Sequence, residues 1–283
     1  MGNLVVDISN LSNNVFSYTA GVYNRNSKLS VASLTKPVTA AVLLSLVDDG
    51  LLNINDTIGT YIPSWATNGK QNVSIRHIMS HTSGVEAEEL MVGTGTLENL
   101  VNTAATINLN FAPGTQVQYA TGSFNVAARV VEVITGMSWK SAFEQRIRNR
   151  CGMGSAQYNP GNINPQAGQG LYCTHTEYMN FMKMLLNKGL YNGVRVLKES
   201  SINLMESDVS GGLDSSRGFG IIRNEVVNNI CKEPTAESSR GCYAWLNRDK
   251  NYYCVLFTQA GYNNTIQKNI GFRNLVRSTL PNY

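Results

Sequence analysis

Charge is scarce in this 283-residue chain. Asp, Glu, Lys and Arg make up 15% of the residues, the formal net charge is +4, and no basic block occurs. Nucleic acids and anionic membranes bind clustered Lys and Arg, so neither partner is expected. No apolar run approaches the roughly 18–20 residues of a membrane-spanning helix. With 42% hydrophobic residues, the composition predicts a soluble globular protein with a sizeable core.

Sequence patterns for metals, nucleotides and α/β-hydrolases are also missing. The five cysteines form no Cys-x-x-Cys pair, which argues against a zinc site. His77 and His81 are four residues apart, as metal ligands can be, but no Glu follows His77 as in zinc proteases. Gly93-Thr94-Gly95 lacks a third glycine in phase, and no Gly-x-Ser-x-Gly elbow occurs. We therefore expect neither a metal nor a cofactor.

The chain contains one Ser-x-x-Lys, formed by Ser33 and Lys36 at the start of an apolar segment. On a helix, residues three apart share a face, so the hydroxyl and the amine lie within contact range. The first helical turn presents unpaired N–H groups and a positive dipole end, which favour an oxyanion on Ser33. The same dipole end and partial burial disfavour protonation of Lys36, and a neutral amine can take the Ser33 proton.

A Ser-x-x-Lys also arises by chance, so its context decides its meaning. Val38, Ala41, Val42 and Leu46 follow it at the spacing of a buried helix face. Asp48-Asp49-Gly50 then supplies a polar end with glycine at the stop. A lysine buried on such a helix destabilises the folded protein unless its amine has partners, so its presence here indicates a function.

Tyr119 is a second candidate site residue. It lies in a loop, 111–122, that leads into a helix beginning near Ser123. A phenol held beside a lysine ammonium has a lowered pKa and can relay a proton. The alternative interpretation is a packing residue at the rim of a cleft.

The order of the predicted elements indicates how the chain is organised. We predict strands at 4–8, 15–19, 219–223, 242–246 and 252–258, and helices from Ser33 and at 75–79, 122–133, 139–147, 177–186, 199–205 and 270–280. Strands at both ends with helices between them predict an α/β sheet domain, 1–50 and 210–283, interrupted by a helical insertion domain, 51–209. The active site would lie in the cleft between the two.

Ser33-x-x-Lys36 followed by Tyr119-x-Thr121 resembles the serine β-lactamase and penicillin-binding-protein superfamily, and most of all its class C β-lactamase/esterase branch. Further segments fall in family order at 51–56, 61–63, 75–84, 113–115, 151–153 and 185–189, so the resemblance covers nearly all of the chain. It implies an α/β (α+β) fold, an antiparallel sheet flanked by helices with an inserted mostly helical domain. It also suggests a periplasmic or secreted protein, although no signal peptide is visible.

The resemblance implies a role for each candidate residue. Ser33 would be the acylated nucleophile, Lys36 its activating base and Tyr119 the relay that protonates the leaving group. The backbone N–H groups of Ser33 and Ser239 would form the oxyanion hole. It also implies a structural role for His81.

Two departures from the family pattern bear on the substrate. The third motif, at 236–238, reads Ala-Glu-Ser and lacks the usual cationic or glycine residues, so Glu237 would place an anion near the site. Ser238 would line the oxyanion and substrate region together with Thr121, which stands where the family has an Asn that contacts substrate amides. The first departure argues against β-lactams and other carboxylate substrates.

We therefore predict a serine hydrolase that forms an acyl-enzyme on Ser33 and acts on a small or medium ester or amide. A β-lactamase, a D-amino-acid peptidase and an acyltransferase are alternatives with the same nucleophile. A non-catalytic binding protein, which kept the fold after its third motif decayed, is the alternative of another class. The presence of Ser33, Lys36 and Tyr119 together argues against it.

Overall fold

The computed structural model describes residues 2–283. In chain order the strands are β1 (Leu4–Ser9), β2 (Asn14–Ala20), β3 (Leu29–Ser30), β4 (Gln157–Tyr158), β5 (Leu171–Cys173), β6 (Leu190–Tyr191), β7 (Val194–Arg195), β8 (Ile222–Val227), β9 (Ile230–Glu237), β10 (Tyr243–Asn247) and β11 (Tyr252–Phe257). The largest sheet is antiparallel and has the order β2-β1-β11-β10-β9-β8. β3, β5 and β4 form a small second sheet, and β6 and β7 form a hairpin.

In chain order the α-helices are α1 (Thr35–Asp48), α2 (Ile58–Tyr61), α3 (Ile75–Met79), α4 (Glu88–Val92), α5 (Leu97–Ala105), α6 (Phe124–Thr135), α7 (Trp139–Phe143), α8 (His175–Leu186), α9 (Glu199–Met205) and α10 (Tyr262–Thr279). Two of them cover the two faces of the large sheet. α8 packs on β10 and β11, while α10 covers the opposite face. Because side chains alternate along a strand, Val255 joins the main core and Cys254 joins the cluster beneath α10.

Helix α1 is the buried centre of the molecule. The sequence pattern predicts one apolar face, but twelve of its fourteen residues are buried, because α6, α7 and α9 surround it. Its end agrees with the prediction, since Asp49 caps the helix and Gly50 follows with φ +73°. A lysine in its first turn is therefore held inside the protein.

The fold confirms the predicted mixed α/β architecture with an antiparallel sheet and flanking helices. The main hydrophobic cluster includes Val5, Leu100 and Phe257, which come from both parts of the predicted division into 1–50 with 210–283 and 51–209. That division stays a prediction. Among the described residues, none of the helices has both the length and the apolar character to cross a bilayer.

Several elements differ from the prediction, among them α10, β8 and β9. α10 begins at Tyr262, eight residues before the predicted start at Ile270, because its Asn-rich first turns show no apolar periodicity. β8 begins three residues later than predicted. β9 was not predicted as a strand, since Pro234 and Glu233 interrupt its pattern. Glu233 is nevertheless buried, where it accepts a hydrogen bond from Asn247 at 2.8 Å.

Candidate active site

Ser33 lies in a 3₁₀ turn, Ala32–Leu34, between the short strand β3 and helix α1. The turn is fixed by β5, because the Val31 N–H donates to the Leu171 carbonyl and the Leu171 N–H donates to Thr35 Oγ1, each at 3.0 Å. Ala32 has φ +43°, a left-handed conformation that costs a non-glycine residue about 1 kcal/mol. The surrounding packing therefore holds the backbone before Ser33 in a strained conformation.

Lys36 is buried, with 4% of its surface exposed, and points at Ser33. Its Nζ lies 3.1 Å from Ser33 Oγ, 3.2 Å from Thr121 Oγ1 and 2.9 Å from the Gly168 carbonyl oxygen. Burial lowers the pKa of Lys36, and the neighbouring Tyr119 opposes part of that shift. The amine is thus both positioned against the hydroxyl and made easier to deprotonate.

Tyr119 approaches Ser33 from the other side. Its hydroxyl donates to Ser33 Oγ at 2.9 Å, and Lys36 Nζ lies 4.7 Å from the centre of its ring. Burial alone would raise the pKa of Tyr119, but the charge of Lys36 and hydrogen bonds at the phenol oxygen leave that pKa below the usual tyrosine value. Ser33 Oγ is therefore within hydrogen-bond range of two groups that can exchange its proton.

His81 packs against Tyr119 and, among the described residues, makes no hydrogen bond to Ser33. The two rings pack with centroids 4.4 Å apart, and His81 Nδ1 accepts a hydrogen bond from the Ala120 N–H at 3.2 Å. Burial and the charges of Lys36 and Arg217 hold the pKa of His81 well below its usual range, so the ring is neutral. Its neighbour in sequence, His77, instead accepts from the Ser74 N–H as part of a helix cap.

These side chains lie on one wall of a cavity of about 450 Å³. The opposite wall comes from the end of β9 and the segments around it. The lining residues are Ser33, Lys36, His81, Tyr119, Arg217, Gly220, Ile221, Ile222, Thr235, Ala236, Glu237, Ser238, Ser239 and Tyr262. The sequence-predicted third motif therefore faces the predicted nucleophile across a space that can hold a small molecule.

Two backbone N–H groups are available in this cavity. Neither the Ser33 N–H nor the Ser239 N–H has a hydrogen-bond partner within residues 2–283. The Ser239 carbonyl accepts from the Tyr262 N–H at 3.0 Å, and Ser238 Oγ accepts from the Arg240 N–H, so the loop that carries Ser239 is held in place. Unpaired N–H donors at two residues that line the cavity with the nucleophile are what an oxyanion hole requires.

The sequence profile of the β-lactamase family matches residues 11–274, which is nearly the whole chain. The chain belongs to the β-lactamase family. This confirms the superfamily predicted from the sequence, and the family consists of serine hydrolases, the predicted enzyme class. Within the superfamily, the class C branch is compatible with the match.

Individual relatives of this β-lactamase-family chain are distant. Penicillin-binding protein 4 of Amycolatopsis lactamdurans is 26% identical over 245 residues, which cover 74% of this chain and 64% of that protein. The chain thus spans just under two thirds of that relative's length.

Solved structures share the fold of this family member. One from Bacteroides dorei has a TM-score of 0.85 at 23% identity and covers 91% of this chain and 85% of its own. A D-stereospecific amidohydrolase from Streptomyces sp. has a TM-score of 0.75 at 20% identity, with coverage of 95% and 92%. At these identities the likeness establishes the fold.

The structure also shows functional residues that the sequence reasoning missed. The Gly168 carbonyl is one of three partners of Lys36, and the side chains of Arg217 and Tyr262 line the cavity. A backbone carbonyl leaves no side-chain signature, although the glycines at 168 and 170 could have marked a close backbone approach. Thr121 contacts Lys36 and is not among the cavity-lining residues, so its role in substrate binding stays a prediction.

We expect Gly168→Ala to lower kcat by about 10²-fold, because displacement by about 1 Å is enough to disrupt a catalytic arrangement. A Cβ at this position would lie 2.3 Å from the Thr121 backbone oxygen, so the backbone must shift away from Lys36. Steady-state kinetics on an ester substrate measures the effect. Gly154→Ala is the matched control, since its Cβ would meet nothing within 4 Å. Equal activity of the two variants would show that the Gly168 carbonyl does not position Lys36.

Proposed function

We propose that this chain is a serine hydrolase that acylates Ser33 and hydrolyses a small or medium ester or amide. The observation that carries the proposal is the position of Ser33 Oγ, 3.1 Å from Lys36 Nζ and 2.9 Å from the Tyr119 hydroxyl, at a cavity with two free N–H donors. A nucleophile, a base and an oxyanion site together define acyl-transfer chemistry.

Lys36 is the base that the geometry favours. A neutral amine has two N–H bonds and one lone pair. Two of its three partners, the Gly168 carbonyl and Thr121 Oγ1, can accept those N–H bonds, which leaves the lone pair for the Ser33 proton. Ser33 Oγ then attacks the substrate carbonyl carbon while its proton moves to Lys36 Nζ.

The negative charge that forms on the carbonyl oxygen needs donors already in place. The N–H groups of Ser33 and Ser239 supply them without reorganisation. When the tetrahedral intermediate collapses, the bond to the leaving group breaks and Tyr119 delivers a proton to the departing oxygen or nitrogen. The Lys36 ammonium then returns a proton to the Tyr119 phenolate oxygen through the hydrogen bond between the two side chains.

Deacylation follows the same steps with water as the nucleophile. Water loses a proton to the Tyr119 and Lys36 pair and attacks the ester carbonyl of acyl-Ser33. The bond from the carbonyl carbon to Ser33 Oγ then breaks, the pair returns the proton to Oγ, and the acid is released. An alcohol or amine in place of water would give acyl transfer, and ping-pong kinetics would report the shared intermediate.

Hydrolysis of p-nitrophenyl butyrate, with nitrocefin assayed in parallel, tests the proposal. We expect ester turnover and a single fluorophosphonate adduct on Ser33 by mass spectrometry. Rapid nitrocefin hydrolysis would favour the β-lactamase alternative and would contradict the interpretation of the third motif. An unmodified Ser33 together with no turnover of either substrate would support the non-catalytic binding protein.

The pH dependence follows from the lowered pKa of Lys36. Because Lys36 must be neutral to accept the Ser33 proton, kcat/KM is expected to fall tenfold per pH unit below that pKa and to level off above it. The midpoint of this acid limb should lie below the value near 10.4 of an ordinary lysine. Rates on a neutral ester across the pH range measure it. A midpoint near 10.4 would exclude Lys36 as a buried base.

A further inference from the structure

Glu237 is a carboxylate in the wall of the active-site cavity without a cationic partner. It is half-buried at the end of β9, and its one side-chain hydrogen bond among the described residues comes from the Tyr262 hydroxyl, which donates to Oε1 at 3.4 Å. Within residues 2–283, no Lys, Arg or His nitrogen lies within 4.0 Å of its oxygens. Oε2 has no hydrogen-bond partner in the same part of the chain.

The other charges of the cavity are compensated by the protein. Lys36 Nζ has three hydrogen-bond partners, Ser33 Oγ, Thr121 Oγ1 and the Gly168 carbonyl oxygen. Arg217 donates from Nε to Asp214 Oδ2 at 3.0 Å, so that much of its charge is neutralised locally. Within residues 2–283, Glu237 is therefore an ionic group of this cavity that has no ion-pair partner for a ligand to displace.

A partly buried carboxylate without a partner is unfavourable in the empty cavity. Burial raises the pKa of Glu237, and the hydrogen bond from Tyr262 and the charges of Arg217 and Arg273 offset only part of the shift. A ligand cation would restore the missing partner. Such a charge-assisted contact is stronger than a hydrogen bond between neutral groups.

We propose that Glu237, together with Tyr262, binds a cationic amine of the substrate, so that the enzyme selects amine-bearing esters or amides. The inference rests on the proposed acyl-enzyme at Ser33 and adds the charge of the substrate. Glu237 and Ser239 are two residues apart, so their Cα atoms are at most about 7 Å apart. The amine would then lie only a few bonds from the scissile carbonyl held at Ser239.

The aromatic rings of the cavity fit the same ligand. Tyr262 is 38% exposed and Tyr119 49%, and both line the space beside Glu237. A ring face attracts an ammonium group, and Ile221 and Ala236 provide apolar surface for the carbon chain that carries it. The wall therefore offers one carboxylate, two aromatic rings and apolar surface in a single cavity.

Isosteric substrate pairs test this proposal on both sides of the scissile bond. The acyl-side pair is p-nitrophenyl 6-aminohexanoate and p-nitrophenyl heptanoate. The leaving-group pair is butyrylthiocholine and 3,3-dimethylbutyl thiobutyrate. We expect the wild type to prefer the cationic member of at least one pair by about tenfold or more in kcat/KM, the ratio that 1.4 kcal/mol produces.

Glu237→Gln should reduce that preference to near unity, and Glu237→Asp should restore part of it. The ratio within a pair cancels any general loss of folding or of Ser33 reactivity. Glu98→Gln is the control for an equal charge change, since Glu98 is exposed on α5 and pairs with Arg129. Its ratio should match the wild type.

A wild type without preference in either pair, or a Glu237→Gln ratio equal to the wild-type ratio, would overturn the proposal while leaving the acyl-enzyme intact. If the proposed function itself is wrong, the same experiments give a different result. None of the four esters and thioesters would then be hydrolysed and Ser33 would gain no fluorophosphonate adduct, which would overturn both proposals.

Discussion

Ser33→Ala is expected to lower kcat/KM for p-nitrophenyl butyrate by at least about 10³-fold, because the substitution removes the only atom that can form the acyl bond. The remaining rate would come from the oxyanion donors and from substrate binding, which the substitution leaves in place. The variant should also gain no fluorophosphonate adduct.

The control for Ser33→Ala is Ser30→Ala. Ser30 lies three residues earlier in β3, is only partly buried and is outside the cavity. We expect its activity and adduct to match the wild type. Wild-type turnover by Ser33→Ala would place the chemistry on another residue and would contradict the mechanism.

Lys36→Met is expected to lower kcat/KM by about 10²–10⁴-fold, the usual contribution of a positioned general base. The apolar side chain fills similar space but cannot take the Ser33 proton. Because the pKa of Lys36 is lower in the folded than in the unfolded protein, the unfolded state binds more protons between the two values. The free energy of unfolding of the wild type therefore rises with pH between the folded and the unfolded pKa of Lys36. Below the folded pKa the buried charged amine destabilises the protein, and methionine removes that destabilisation.

Thermal denaturation at several pH values measures this second effect. Lys36→Met should raise the Tm most at pH values below the lowered pKa and less above it. Lys70→Met is the matched control, since Lys70 is also buried but donates to the Ile107 carbonyl away from the cavity. It should retain activity. Activity in Lys36→Met that equals the wild type would assign the base role to Tyr119 alone.

Much of the fold could be predicted because its elements have regular apolar patterns. β11 is a continuous apolar run, and the helix containing Ile75–Met79 has the bounds predicted. β9 could not be predicted in this way, because its buried Glu233 is explained only by partners far away in the sequence, Asn247 and Arg277. Tertiary contacts, rather than local propensity, make it a strand.

The residues of the candidate site also fall into those that the sequence predicts and those that only the folded chain brings together. Ser33, Lys36 and Tyr119 could be predicted as a group because each contributes a side chain with recognisable chemistry. Arg217 and Tyr262 could not, since they reach the cavity from loop and helix positions that only the folded chain brings together. The sequence predicts Glu237 as an anion near the site, and the structure has it in the cavity wall, where we propose that it binds a substrate cation.

The partners of Lys36 have a consequence for how the protein becomes active as it folds. The contact with Ser33 spans three residues, but those with Thr121 and Gly168 span 85 and 132. Contacts across such long loops form only after the intervening chain has been ordered. A compact intermediate with α1 in place would carry Ser33 and Lys36 without the Thr121 and Gly168 partners that position the amine, so the nascent chain stays unreactive until those distant segments have docked.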